Sequence, residues 1–342
     1  MSAAKFKDTQ IEMAHGAGGK ASRRLIEGLI VPLLQNPILE TLGDAAALEI
    51  DGARLAFTMD AFVVKPLRFP GGSIGDLAVN GTVNDLAVSG ARPVALVSSL
   101  ILEAGLTSDI LEQELRAMGE AAVKAGVRIV GGDTKVVEHG QADGMYITTA
   151  GIGLRDARVN LCAKNAKAGD QVIVSGCIGD HGITILLARG ELDLEADLQS
   201  DTRSVWSLVN ALLEVAAPGL RWMRDPTRGG VATALNELAR DANLGVMLLE
   251  DQLPIRDEVR GACEILGLDP LHIACEGQFL VVVAPEYAEI VLAALHSIPG
   301  GAQAQVIGSL QSEHSRSVVA RNAYGGSRFV DMLVGDPLPR IC

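Results

Sequence analysis

Ser73-Ile74-Gly75-Asp76-Leu77-Ala78-Val79-Asn80-Gly81-Thr82-Val83-Asn84-Asp85-Leu86-Ala87-Val88-Ser89 is the stretch on which the fold turns. Ile74, Leu77, Ala78, Gly81, Leu86 and Val88 recur at roughly helical spacing, so it reads as a helix. Asn84 and Asp85 sit in its middle among the small residues Gly81, Thr82 and Ala87. Charge inside so small-sided a helix is costly unless it faces a ligand. Onward from it, the pattern predicts a strand over 94–102, a helix over 108–125 and a strand over 127–130. That last strand runs into Gly131-Gly132-Asp133-Thr134-Lys135, and a strand over 145–154 closes the half. Strands alternating with helices point to an α/β protein built in layers.

A chain of 342 residues suggests two domains. Composition shifts to Lys, Asn, Ala and Gly around 155–170, so the boundary is placed there: a first domain over 1–156, a second over 157–330, and a tail over 331–342. Apolar residues are 48% but aromatics only 3%, which asks for Ala/Val/Leu/Ile interiors under covered sheets. A net charge of −13 argues against nucleic acid or an anionic membrane as the main partner. It leaves room for a nucleotide held through Mg²⁺ by carboxylates. The five cysteines form no CxxC pair, and the first ten residues show no cleavable signal. With no apolar run long enough to span a bilayer, a reducing, cytoplasmic location is expected. The scattered histidines give no zinc spacing, and Cys263 and Cys275 read as buried, inert thiols.

Four aspartates mark the first half: Asp44, Asp60, Asp85 and Asp133, three of them where a strand is expected to give way to a loop. Singly, each is an ordinary turn or cap residue. Together they suggest a shared Mg²⁺–phosphate site, with Lys135 two residues beyond Asp133 on the same face of an extended segment. Earlier, His15-Gly16-Ala17-Gly18-Gly19-Lys20 precedes an amphipathic run, Leu25 to Leu33. Such a loop brings backbone N–H groups and a cation to a phosphate, although a plain glycine-rich turn explains it equally well.

The second half opens with a strand over 171–175 and the turn Gly176-Cys177-Ile178-Gly179-Asp180-His181-Gly182 before an apolar helix. A helix over 205–216 leads to Arg224-Asp225-Pro226-Thr227-Arg228-Gly229-Gly230, where Thr227 reads as an N-cap and the glycines allow an anion to approach. Strands over 246–249, 279–284 and 304–310 alternate with helices over 258–266 and 286–295. Glu276 stands at a strand entrance and His181 in a loop; both are candidates for proton transfer. The chain closes on Pro339-Arg340-Ile341-Cys342 after the stiff run 335–339. This reads as a movable arm ending in a nucleophile. The neighbouring α-carboxylate should raise the Cys342 thiol above about 8.5, and Arg340 should offset part of that.

Six motifs now coincide in order: His15-Gly16-Ala17-Gly18-Gly19, Asn84 to Ala91, Gly132-Asp133-Thr134-Lys135, Gly179-Asp180-His181-Gly182, Asp225-Pro226-Thr227-Arg228-Gly229-Gly230, and the terminal Pro-Arg-Ile-Cys. Over nearly its whole length the chain resembles the HypE family of hydrogenase maturation factors. These belong to the ATP-binding superfamily of aminoimidazole ribonucleotide synthetase, selenophosphate synthetase and thiamine-monophosphate kinase. The resemblance implies a homodimer joined through the N-terminal sheets, with ATP near the interface and a C-terminal domain covering it. It implies Asp60, Asp85, Asp133 and Asp225 as metal or phosphate ligands, with Asp44 held less firmly because Ala45 stands where the family often has a second acid. Gly16, Gly18, Gly19, Lys20, Asn84, Gly132, Thr134, Lys135, Thr227, Arg228 and Gly229 would surround the nucleotide. It also implies that the carbamoyltransferase HypF loads Cys342, and that ATP-dependent dehydration makes a thiocyanate. The cyano group then passes to iron on the HypC–HypD complex. No cysteine precedes Cys162, which argues against a selenophosphate synthetase.

Overall fold

The computed structural model describes residues 5–190, 196–335, 338 and 340–342. Asp336, Pro337 and Pro339 of the expected arm lie outside the described residues.

In the first half, helix α1 (Gly19–Leu25) runs through a π-helical turn into α2 (Val31–Leu33). Strands β1 (Ala46–Ile50) and β2 (Ala53–Phe62) follow, then the short hairpin β3 (Arg68–Phe69) and β4 (Gly72–Ser73). Helix α3 (Ile74–Val88), β5 (Ala91–Glu103), α4 (Ser108–Ala125), β6 (Arg128–Val137) and β7 (Met145–Arg155) complete it. The sheet order is β1-β2-β7-β5-β6, with only β5 and β6 parallel. Ser73 caps α3 by accepting from the Asp76 N–H. Glycines set how closely α3 docks: a Cβ on Gly75 would lie 2.3 Å from the Glu114 carbonyl of α4, and one on Gly81 2.8 Å from the Phe62 ring. Almost every residue of α3 is buried, because the helix is enclosed between the first sheet and the second half.

The strand expected over 127–130 is longer in the structure. β6 continues through Gly131–Lys135 to Val137, because its parallel ladder with β5 holds from Ala95↔Arg128 to Glu103↔Val137 and overrides the glycines' poor strand preference.

The second half has β8 (Gln171–Val174), α5 (Asp180–Ala188), α6 (Trp206–Ala216), β9 (Leu220–Arg224), α7 (Gly230–Ala242) and β10 (Gly245–Leu249). Then come α8 (Asp257–Leu266), β11 (Leu280–Val283), α9 (Ala288–Ser297), β12 (Gln305–Gln311), β13 (Val318–Arg321) and β14 (Ser327–Val330). The seven-stranded sheet has the order β14-β13-β10-β12-β8-β11-β9. One core on it gathers α7; another gathers α6, α9 and the end of α3. A third core joins the halves: Phe62, Val64, Ile74 and Leu77 meet Ile183, Ile185, Val259 and Ile273, with Leu338 and Ile341 of the tail among them.

The first sheet is covered on one face by α3 and α4. The other carries Phe57, Met59, Val97, Ile152 and Leu154, each more than a third exposed, with Met59 at 65%. Among the described residues no helix is long and apolar enough to cross a membrane.

Candidate active site

Three carboxylates from distant parts of the chain converge. Asp44 precedes β1, Asp85 lies on α3 and Asp225 follows β9, and one oxygen of each lies within 4.8 Å of the others. Asp60 joins them from β2, hydrogen-bonded to Asp85. The even-numbered residues of β2 face α3, which brings Thr58 along: its hydroxyl lies 2.7 Å from Asp85 Oδ2 and 2.8 Å from the Asp44 carbonyl. Burial and the mutual repulsion of these charges push Asp85 and Asp225 well above the usual carboxylate range, and burial raises Asp60. The donor set is carboxylate oxygen throughout, and the excess negative charge calls for a cation. These residues fit a hard divalent ion such as Mg²⁺.

A residue that the sequence reading missed answers part of that charge. Arg224 Nε lies 2.8 Å from Asp44 Oδ1, while its other nitrogens reach Glu237 of α7 and, at 3.1 Å, the Leu42 carbonyl. Its burial disfavours the charge, but Asp44 and Glu237 more than offset this and raise its pKa. The signals were its position next to Asp225 and, for Thr58, its place two residues before Asp60.

Glu276 is buried beside this group. Burial and the Asp225 and Asp201 charges push it well above the usual range, and among the described residues its Oε1 has no hydrogen-bond partner. Asn84 is engaged within the chain: its amide donates to the Arg203 and Glu276 carbonyls (2.9 and 3.2 Å) and its oxygen accepts from the Val205 N–H (2.8 Å). It bolts the two halves together.

Asp133 is not brought to the cluster of its own chain. Through the ladder it pairs with Ser99, Thr148 and Ala61, the bare-face set, whereas Asp60 pairs with the buried Thr149. Three strand spacings, ~14 Å, separate β2 from β6. Asp133 is exposed, and its hydrogen bond to Lys135 (2.7 Å) lowers its pKa. Gly132 and Thr134 lie on the same exposed edge strand.

The glycine loop differs from expectation as well. The Lys20 and Ala21 N–H groups donate to the Leu333 and Val334 carbonyls, the Gly18 N–H donates to Ser22, and Lys20 pairs with Asp331. The chain just before the arm thus occupies the Lys20 and Ala21 N–H groups at the start of α1 and the Lys20 ammonium. The loop packs on the second half: Arg228 donates to the Gly16 carbonyl at 2.8 Å, and a Cβ on Gly18 would press on Arg228. Gly19 has φ 68 and lies under the Leu333 carbonyl. Thr227 is not an N-cap; Gly229 holds that position before α7, in the left-handed region, and the Thr227 carbonyl accepts from the Gly230 N–H.

His181 is likewise not in a loop but in the first turn of α5, fully buried. Its Nε2 lies 2.7 Å from the Ile341 carbonyl and its Nδ1 2.8 Å from Ser200 Oγ, so it serves the tail rather than the carboxylates. Cys342 is half-buried, with its main-chain oxygen accepting from the Val63 N–H, and Arg340 pairs with Asp143.

The two α/β halves are those of the AIR synthase related proteins. The model of their N-terminal domain matches residues 42–155 and that of their C-terminal domain residues 167–321. The carbamoyl dehydratase HypE of Rhodobacter capsulatus is 49% identical over 339 residues, covering 98% of this chain and 99% of the relative. A crystal structure of HypE in complex with ATP is 46% identical, with a TM-score of 0.81, covering 97% of this chain and all of that one. A structure of a HypE–HypF complex is 42% identical, with a TM-score of 0.86, covering 90% and 99%. The chain belongs to the HypE family of carbamoyl dehydratases.

Proposed function

We propose that the protein is an ATP-dependent carbamoyl dehydratase that acts on its own Cys342, in the maturation of [NiFe] hydrogenase. Its substrate is the S-carbamoyl group on that thiol and its product the thiocyanate. The observation that carries the reading is the convergence of Asp44, Asp85 and Asp225 from both halves, in a chain akin to HypE over its full length.

An amide oxygen is a poor leaving group. Transfer of the ATP γ-phosphoryl to the carbamoyl oxygen makes it a phosphate ester; loss of the nitrogen protons and expulsion of phosphate then leave S–C≡N. Such transfers depend on positioning and charge stabilisation. Mg²⁺ held by Asp44, Asp85 and Asp225, with Asp60 beside them, would neutralise phosphate charge. Glu276 is assigned proton transfer at the carbamoyl nitrogen, because it is a buried carboxyl next to Asp225 with an oxygen that has no partner among the described residues. Arg228 is assigned to the phosphates, joined by the glycine loop and Lys20 once the 331–334 segment releases them.

Asp133 and Lys135 are assigned to a neighbouring subunit's site. Both lie on the bare apolar face of the first sheet, which suits burial against a second copy in a homodimer. HypF is the proposed carbamoyl donor, supported by the complex known for a relative. The HypC–HypD complex is the proposed acceptor of the cyano group, and the cytoplasm the proposed location.

Intact-mass analysis tests the reading. Protein carbamoylated at Cys342 and given ATP with Mg²⁺ should shed one water, and Cys342→Ala should form no adduct while still binding ATP. An adduct that persists unchanged would make the protein a carrier whose docking the nucleotide merely regulates.

A further inference from the structure

We propose that His181 is a positioning residue for the C-terminal arm: its imidazole clasps the Ile341 carbonyl and so fixes Cys342 for dehydration. The proposal rests on the reading of Cys342 as the acceptor.

The hydrogen-bond directions are determined by the partners. A carbonyl only accepts, so the proton is on Nε2 and Nε2–H donates to Ile341, 2.7 Å away. Nδ1 is therefore the acceptor, and the Ser200 hydroxyl donates to it at 2.8 Å. The Thr202 hydroxyl, 2.6 Å from Ser200 Oγ, donates in turn, and the Thr202 N–H adds a bond at 3.1 Å. The Phe69 ring closes the pocket edge-on, with centroids 5.6 Å apart. Burial holds the ring neutral, with its pKa lowered to about 4, so this arrangement persists at neutral pH. Both nitrogens are engaged inside the core. A histidine so placed orients the arm instead of exchanging protons with a substrate.

Other contacts hold the same three residues. The Val63 and Lys65 N–H groups donate to the main-chain oxygens of Cys342 and Arg340 at 3.0 and 3.3 Å. Arg189 donates to the Arg340 carbonyl at 3.0 Å and the Lys65 carbonyl at 3.1 Å. Ile341 is buried in the core that joins the halves. Arg340 has φ 61, a conformation unfavourable for a residue with a side chain, and is held there by contacts on both sides. Undocking leaves the buried Nε2–H without an acceptor, which favours the docked arm. Loading requires the arm to leave, whereas dehydration requires it in place, so losing the clasp should affect the two steps differently.

The test uses full-length protein carbamoylated at Cys342, in a single turnover at saturating Mg-ATP. His181→Leu should slow dehydration by roughly 10- to 100-fold, the scale of a misplacement near 1 Å. ATP affinity should be unchanged, and a bulky maleimide should alkylate unloaded Cys342 several-fold faster. His181→Gln, which can place an N–H near the Nε2 position, should restore most of both. Arg189→Met alters a partly exposed residue, so it gives the same comparison if His181→Leu fails to fold. Wild-type dehydration and wild-type thiol reactivity in His181→Leu, or in Arg189→Met should His181→Leu not fold, overturn the proposal. If loaded wild-type protein never dehydrates, the proposed function fails, and thiol reactivity still decides whether His181 holds the arm.

Discussion

Arg224 and Asp44 form an ion pair, Nε to Oδ1 2.8 Å, that ties the edge strand of the second sheet to the segment leading into the first. Its meaning comes from its setting. Asp44 also faces Asp85 and Asp225, so the guanidinium is the fixed cation of a site that carries an excess of carboxylate.

Arg224→Met keeps much of the stem's volume and removes that cation. Breaking one side of a buried pair leaves the other charge uncompensated, a loss of about 3 kcal/mol. Urea unfolding in Mg²⁺-free buffer should show it, and added Mg²⁺ should recover part of it. An unchanged midpoint would remove Arg224 from the account.

Asp85→Asn should separate stability from function. It deletes one of several repelling charges while keeping an acceptor for Thr58, so the metal-free protein should gain roughly 1 kcal/mol. Mg-ATP binding, measured by calorimetry, should weaken at least tenfold, a loss of about 1.4 kcal/mol. Equal affinity in mutant and wild type would contradict a ligand role.

Much of this was legible in the chain, for physical reasons that differ by element. α4 shows because its apolar stripe, the Thr107 cap and Gly126 at its end agree with one another. β9 was missed because Leu-Arg-Trp-Met-Arg has no clean alternation, and its partner β11 lies far along the chain. β13 and β14 went unread for a related reason: they are short and lean on pairing with each other and β10. Asp44, Asp60 and Asp85 stand out within one half, but the sequence shows neither that Asp133 faces away from them nor that Arg224 reaches Asp44. Which face a strand residue occupies depends on register. His181 and Ile341 are 160 positions apart, and no local pattern links them.

Asp133 gives a complementation test. If it serves the site of a second subunit, Asp85→Asn and Asp133→Asn damage different halves of a composite site. Random mixing of the two inactive proteins makes half the dimers mixed, each with one intact site, and roughly a quarter of wild-type activity should return. No recovery after subunit exchange would return Asp133 to its own chain. Met59→Glu with Val97→Glu should yield monomers in sedimentation and abolish the complementation.

His181 should also leave a mark on acid stability. Its pKa is about 4 in the fold against about 6.5 unfolded, so from pH 6.5 downward the unfolded chain binds a proton that the folded chain does not. The associated stability is fully present above pH 6.5 and lost as pH falls through 4, up to about 3 kcal/mol. The carboxylates titrate in the same range. The informative quantity is therefore the difference in urea midpoints between wild type and His181→Gln, which should shrink from pH 7 to 4.5. A constant gap would mean that the ring is not held neutral.

Glu276→Gln tests the proton step. The two side chains have the same shape, and burial beside Asp225 and Asp201 already favours the uncharged form, so folding and Mg-ATP affinity should hardly change. What glutamine cannot do is give up or accept the proton that must leave the carbamoyl nitrogen before phosphate is expelled. Removing a positioned acid–base group costs typically ~10²- to 10⁴-fold in rate. Carbamoylated Glu276→Gln should therefore keep its adduct for many wild-type turnover times, and intact mass will record the delay. Should the variant lose water at the wild-type rate, the proton goes elsewhere, and the orphaned Oε1 is only a cost of packing the two halves together.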